Sequence, residues 1–432
     1  MCRCVGVCLY SCCFIPFLSL FTRSSCSSKY RVKQPQLKTR IEYTSTDRFC
    51  FTLLPTVTMK KRPGLGLALD AATVENYKND AQSYQIKNNN SLQLRAFLFN
   101  ENGMFTKDGR KLPGTVSKDQ IDFTQKKSVG RGASGDVSFA RLKDGTPVAL
   151  KCIPISSKAH RDEVDRELQF FSSKGDCPYV MKNYGAFWDS QEGAIVIPME
   201  WMSYTVKDLS FFWDGLEESI LRDVYFQVVS GLVYLHDTKR VIHRDLKPSN
   251  LLINDDGYVK IADFGVSKLV QTLDVSSTYV GTMYFMAPER LEQGAYSFSS
   301  DVWSLGLTMI ATVTGQNPWA PPEEMNLFQL LGKLSGNTTP GLPEKGNYSE
   351  EARDFIRKCL VRDPDERLTC ADLLQHPFFK GVTMESAVAN VKLAVEFMSR
   401  MLNMGAKKDK ELQRSQAEME KDMKDKLDKM VA

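Results

Sequence analysis

Between Ile121 and Phe379 the apolar segments change character, short β-rich runs coming first and long helical ones after. The period of a hydrophobic pattern selects strand or helix, so this stretch reads as a small sheet lobe followed by a larger helical lobe. The expected fold class is α+β and bilobal, with one helix inside the sheet-rich half, between Glu163 and Phe171. Composition is compatible: of 432 residues, 42% are hydrophobic and 25% charged, which excludes collagen, a coiled-coil rod and wholesale disorder. A net charge of +4 does not mark a nucleic-acid surface, and no such partner is expected.

Residues 1–58 have another composition. Cys2, Cys4, Cys8, Cys12, Cys13, Cys26 and Cys50 all fall there, out of 11 cysteines in the chain. The run from Val5 to Phe21 behind Arg3 resembles a short signal or anchor. Ser11 and Pro16 interrupt it, and it is short for a membrane span of about 20 residues. Three readings stand: a stretch translated from an upstream start, a membrane or organelle address, or a cluster of palmitoylated cysteines. The first is the expectation, with Met59 beginning the working protein and a membrane partner entering only if the leader is genuine.

Residues 59–120 are polar and turn-rich, with Asn88, Asn89 and Asn90 in a row. They predict a flexible arm that buries little and has at most one hairpin, around Asn102-Gly103. In 380–432, Val388, Val391, Val395, Met398 and Leu402 recur at spacings of three and four and predict a helix. The alternating charges beyond Gly405 predict a solvated helix or a weakly structured tail.

The chemistry-bearing residues lie between these flanks. Gly130-Arg131-Gly132-Ala133-Ser134-Gly135-Asp136-Val137 sits in a strand-rich segment, and its glycines would let backbone approach phosphates closely; a plain Gly-rich hairpin looks the same. Lys151 closes the strand Val148-Ala149-Leu150-Lys151, where a buried ammonium could hold phosphate oxygens, and Glu167 offers a carboxylate to hold that ammonium. Then come His243-Arg244-Asp245-Leu246-Lys247-Pro248-Ser249-Asn250, Asp263-Phe264-Gly265 and Ala287-Pro288-Glu289. In this order the strings resemble the eukaryotic protein kinases over residues 121–379.

The resemblance implies the bilobal protein kinase fold, ATP and Mg²⁺, and one role per motif. Asp245 would accept or orient the proton of the substrate hydroxyl, with Lys247 offsetting charge on the migrating phosphoryl group, as in Ser/Thr and dual-specificity kinases. Asn250 and Asp263 would hold Mg²⁺, and Lys151, paired with Glu167, would grip the α and β phosphates under the 130–137 loop. Val137, Ala149 and Leu252 would sandwich the adenine, Glu200 and Met202 would offer backbone groups to its edge, and Met199 would be the gatekeeper. Glu289 with Arg367, and Asp301, would be structural braces.

HRDLKPSNLL, DFGVS and VGTMYFMAPERL together are similar to the MAP kinase kinases. Lys60-Lys61-Arg62 followed by Leu65 and Leu67 resembles a MAP kinase docking arm, cations for an acidic patch and leucines for an apolar groove; a chance basic arm or an import patch is the competing reading. In the segment between Asp263 and Glu289, Thr272 and Thr278 stand at the spacing of the plant-type enzymes and are the expected sites for an upstream MAP kinase kinase kinase. Each phosphate would add about −1.5 to −2 charge, and one could pair with Arg244 beside Asp245, ordering the loop. SYTVKDL departs from the Gly-Gly-Ser-Leu common after this family's hinge, and the proline-rich insert of some animal members is not evident between Gln316 and Pro343. The helix from Met384 to Leu402 stands where the family docks its upstream kinase, although such a stripe equally suits packing on its own domain. The implied function is a cytoplasmic dual-specificity MAP kinase kinase, and the alternative is another Ser/Thr kinase of the same cascade.

Overall fold

Residues 84–106 depart from the expected arm. In the computed structural model they form a four-stranded antiparallel meander, β1 (Tyr84–Lys87), β2 (Ser91–Leu94), β3 (Phe97–Asn100) and β4 (Gly103–Thr106). The model describes residues 84–87, 91–94, 97–132, 135–156, 160, 161, 164, 168, 176–263, 283–291, 297–319, 329, 332–333, 336, 339–344 and 346–405. The Asn102-Gly103 hairpin is present, closed by Glu101 and Asn102 with Asn100 opposite Gly103, whose φ of +124° is open to glycine. It is one hairpin of several. Leu92, Leu94, Phe99 and Met104 are buried against Ile153, Ile155, Trp188, Ile195 and Ile197. The strands are only four residues long, too short to set a clear period, and Phe97-Leu98-Phe99 is a continuous apolar run; the surface that buries them comes from far along the chain.

Five further strands make the sheet of the first lobe: β5 (Ile121–Gly132), β6 (Gly135–Leu142), β7 (Pro147–Pro154), β8 (Phe187–Asp189) and β9 (Ala194–Glu200), in spatial order β5-β6-β7-β9-β8. β7 is central, and Val148 to Ile153 are buried along it. Val148, Leu150 and Cys152 pack with Ile121, Ala140 and Phe187, while Ile153 joins the cluster under the meander. Val164 and Leu168 are helical, within the stretch where the single helix of this lobe is expected, and His160 and Arg161, ahead of that stretch, are helical as well. Glu167 lies outside the described residues.

The second lobe is helical, as the change of period predicts. β10 (Tyr204–Thr205) leads into α1 (Val206–Trp213), where Thr205 and Asp208 form a reciprocal capping box. α2 (Glu218–Val233) precedes β11 (Leu251–Ile253) and β12 (Val259–Ile261), and β11 pairs with both β10 and β12 in a three-stranded antiparallel sheet. α3 (Phe298–Thr314) is buried from Ser300 through Val313 and forms the axis of the lobe, its polar residues Asp301, Ser304, Thr308 and Thr312 buried with hydrogen-bond partners. Trp303 on α3, Phe355 on α4 (Glu350–Cys359) and Leu373 on α5 (Cys370–Leu374) belong to one core.

The helix expected near the C-terminus, α6, covers residues 384–405. Its stripe faces its own domain: Val391, Ala394, Val395 and Met398 are buried in the same core, Asn390 Nδ2 donates to Asp223 Oδ2 on α2 (2.8 Å), and Phe397 stacks on Trp213. Among the described residues no helix is long and apolar enough to cross a membrane.

Candidate active site

The glycine-rich turn is built by strand pairing. Gly130 lies opposite Val137, Arg131 opposite Asp136 and Gly132 opposite Gly135, with irregular register between Ser128 and Gly130. Ala133 and Ser134 at the tip lie outside the described residues. Gly135 combines a φ of +109° with a backbone so close to the Cys152 carbonyl that a Cβ would overlap it, so two constraints require glycine there. Register then brings Val137 opposite Lys151, and Lys151 opposite Ile197. In the next row Ala149 lies opposite Met199. Alternation along β7 puts Ala149 and Lys151 on one face of the sheet.

Lys151 is 2% exposed, and its Nζ lies 2.9 Å from Asp263 Oδ1. The ammonium holds the Asp263 carboxyl below its ordinary range against the opposing effect of burial, with the Lys247 ammonium adding to the shift. Asp263 has a φ of +62°, a left-handed conformation that a β-carbon disfavours and that clusters at functional sites.

The turn after His243 is held from below. Asp301, fully buried on α3, accepts from His243 N (2.7 Å), Arg244 N (2.8 Å) and His236 Nε2 (2.8 Å). Those bonds stabilise Arg244 at a φ of +75°. His243 Nε2 donates to Ala262 O (2.8 Å), leaving Nδ1 to accept from Asp245 N (3.3 Å). One imidazole thus ties Asp245 to the residue before Asp263. Asp245 is 5% exposed, and its Oδ2 accepts from Lys247 Nζ (2.8 Å) and Asn250 Nδ2 (2.9 Å). Asn250 Nδ2 also donates to the Asp245 carbonyl (2.8 Å).

An ionised carboxylate at Asp263 and an amide at Asn250 whose bonds to Asp245 run from nitrogen present hard oxygen donors, a set suited to Mg²⁺. Met199, Met202 and Leu252 gather with Met181 and Ala262 into a small apolar cluster between the sheets, a surface suited to a flat ring. Glu289 and Arg367 form a bidentate pair (3.0 and 3.3 Å), with Arg367 also donating to the carbonyls of Ser299, Val361 and Arg362.

Residues 123–379 match the model of the protein kinase domain. Mitogen-activated protein kinase kinase 2 of Arabidopsis thaliana is 38% identical over 61% of this chain and 76% of its own length. The tobacco kinase kinase SIPKK is 39% identical over 60% of this chain and 73% of its own. Mitogen-activated protein kinase kinase 5 of Leishmania mexicana is 37% identical over 61% of this chain and 51% of its own. The chain is a eukaryotic protein kinase of the MAP kinase kinase family. Its fold is the bilobal kinase fold.

The structure brings Lys151, Asp245, Lys247, Asn250 and Asp263 into one polar centre, with Met199, Met202 and Leu252 clustered beside Ala262 and with Val137 opposite Lys151 and Ala149 opposite Met199 in the sheet. Glu200 has a task beyond backbone contacts: its carboxylate takes Lys260 Nζ at 2.8 and 2.9 Å and Lys182 N at 2.7 Å, tying the end of β9 to β12. Thr272 and Thr278, and the docking residues Lys60, Lys61, Arg62, Leu65 and Leu67, lie outside the described residues. Sequence reasoning missed Met181, Ala262 and Lys260. No motif marks the first and third; Ala262, beside Asp263, was within reach of it.

Proposed function

We propose that this chain is a dual-specificity MAP kinase kinase, transferring the γ-phosphate of Mg²⁺-ATP to Thr and Tyr in the activation loop of a MAP kinase. The observation that carries the reading is the hydrogen-bonded group Asp245, Lys247 and Asn250, joined through His243 and Ala262 to the Lys151–Asp263 pair. Phosphoryl transfer needs in-line positioning and neutralisation of charge rather than covalent catalysis.

Asp245 orients the acceptor hydroxyl and takes its proton. Its Oδ2 is fixed by two donors, so it meets the hydroxyl without reorganising. Lys247 spreads its charge between Asp245 and the migrating phosphoryl group. Lys151 holds the phosphates from the sheet side, and Asn250 and Asp263 would hold Mg²⁺, which supplies charge neutralisation across the phosphate oxygens when bound. The adenine enters the cluster of Met199, Met202 and Leu252.

The kinase is cytoplasmic and is switched on when an upstream MAP kinase kinase kinase phosphorylates Thr272 and Thr278. The docking arm at Lys60, Lys61, Arg62, Leu65 and Leu67 recruits the MAP kinase. The likeness to plant kinases named MAP kinase kinase supports this reading. The test is to incubate the chain carrying Thr272→Glu and Thr278→Glu with Mg²⁺-ATP and kinase-dead MAP kinases, then map phosphosites by mass spectrometry. Phosphate on both Thr and Tyr of one activation loop is the expected result. Transfer only to Ser and Thr of unrelated proteins would sink the assignment and favour a kinase like the Drosophila Ser/Thr kinase hippo, 34% identical over 60% of this chain and 38% of its own length.

A further inference from the structure

α6 lies beyond the matched kinase domain, yet it meets the stretch of chain that joins Asn250 to Asp263. Asn250 immediately precedes β11, and Ala262-Asp263 immediately follow β12, so one hairpin connects the two. We propose that α6 is a positioning element for this pair: it clamps the closed end of the hairpin, and Asn390 and Gly257 are the residues through which the clamp acts.

The hairpin is built to carry a displacement from one end to the other. At its open end Ala262 N donates to Asn250 O (3.0 Å), so any slip of one strand on the other changes how Asn250 and Asp263 stand together. Its closed end, residues 254–258, is a stiff turn: Asn254 Oδ1 accepts from Asp256 N (3.1 Å) and Tyr258 N (2.9 Å), and Gly257 N donates to Asn254 O (3.1 Å). At the usual rise of a strand, this turn stands roughly 13 Å from Asn250.

One grip on the turn is direct. Gly257 has a φ of +86°, and a Cβ there would come within 2.2 Å of Val388 O and 2.6 Å of Lys392 N, the i and i+4 groups of one turn of α6. The positive φ alone would admit asparagine, whereas contact of backbone with backbone admits only glycine. The helix is therefore seated on the turn itself, in addition to burying Val391, Val395 and Met398 in the lobe core.

The other grip runs through α2. Asn390 Nδ2 donates to Asp223 Oδ2 (2.8 Å), and one helical turn further on the same face of α2 stands Gln227. Gln227 is fully buried and gives both polar ends to the hairpin: its Nε2 donates to Gly257 O (3.2 Å), and its Oε1 accepts from Val259 N (2.9 Å). The turn is thus held between two helices, and the Asn390–Asp223 bond fixes one helix against the other. Asn390 acts on Asn250 and Asp263 only through this frame, which makes it a positioning residue.

The proposal rests on the reading of Asn250 and Asp263 as the residues that hold Mg²⁺, and is independent of the MAP kinase assignment. The test uses the full chain and the variants Asn390→Asp, Asn390→Asp with Asp223→Asn, Gly257→Ala and Asp263→Asn. Amide hydrogen exchange is followed without nucleotide, the Mg²⁺ dependence of ADP binding by titration calorimetry, and the melting temperature alongside. Asn390→Asp sets a second carboxylate against Asp223, and adding Asp223→Asn restores a donor and an acceptor with the direction reversed. Expected in Asn390→Asp and Gly257→Ala are exchange at Ala262 N about tenfold faster relative to amides of α3, and a Mg²⁺ requirement raised about fivefold; the reversed pair should return both to within about twofold of native. A lower melting temperature with exchange and Mg²⁺ requirement unchanged would overturn the proposal, as would failure of the reversed pair to restore them. Asp263→Asn tests the underlying reading: ADP binding that no longer responds to Mg²⁺ upholds it, and an unchanged response would sink the reading and the proposal together. Should Gly257→Ala not fold, the Asn390 and Asp223 variants decide.

Discussion

Replacing Asp301 with Asn keeps the shape of the side chain and removes one acceptor. In the native kinase Oδ1 takes Arg244 N and Oδ2 takes His243 N and His236 Nε2, all between 2.7 and 2.8 Å in a fully buried site. The amide has a single oxygen. Turned toward His243 and His236, it leaves Arg244 N facing an NH₂ group, donor against donor. A buried donor without a partner costs about 1–3 kcal/mol, and the two surviving bonds lose charge assistance. Relief from burying a carboxylate offsets part of this, leaving a net loss of about 2–4 kcal/mol. At roughly 2–4 °C per kcal/mol for a domain of this size, the melting temperature should fall by about 5–15 °C in calorimetry. Activity should fall further than stability accounts for, because Arg244 at its positive φ and Asp245 beyond it depend on those bonds; a kcat loss of about 10²-fold at assay temperatures well below the melt is expected. A melting temperature within about 1 °C of the native value with kcat unchanged would refute the argument that Asp301 sets the loop.

Three further perturbations test other parts. Asp263 has its carboxyl pKa depressed by Lys151, so the pair adds stability above the ordinary carboxylate range and loses it as pH falls below about 4; Lys151→Met should abolish transfer and flatten the acid limb of a stability–pH profile measured by urea melts, and an unchanged limb would contradict the pairing. Gly135→Ala should weaken Mg²⁺-ATP binding, read by titration calorimetry, and lower stability by more than about 1 kcal/mol, since φ and the Cys152 carbonyl both oppose a Cβ; a neutral effect would mean the glycine is incidental. Lys260→Met should cost about 1–3 kcal/mol in a denaturant melt, with Glu200 left half-paired in a largely buried place, and a double-mutant cycle with Glu200→Gln should show strong coupling; additive effects would show that the pair does not couple.

The polar centre was legible because phosphoryl transfer needs particular groups at short spacings. Asp245, Lys247 and Asn250 sit within one turn of chain, and Glu289, Arg367 and Asp301 carry motif signals of their own. Glu200 was read only for its backbone, because nothing in MEWM announces an ion pair with Lys260 sixty residues on. α6 was legible as a helix, but its apolar stripe suited two partners equally, and contact with Asp223 and the lobe core decided where it packs.

The sequence alone determined the period change that makes two lobes, the order of the motifs and the residue types of the catalytic centre. These are local properties: a strand alternates, a helix repeats, and a carboxylate beside a lysine is chemistry wherever the chain takes it. Only the tertiary structure decided the fate of residues 84–106. Four strands of four residues are too short to set a period that could be recognised alone, and Leu92, Phe99 and Met104 become core because Ile153, Trp188 and Leu168 arrive from elsewhere to cover them. Burial is a property of a pair of surfaces, and a linear sequence shows one surface at a time.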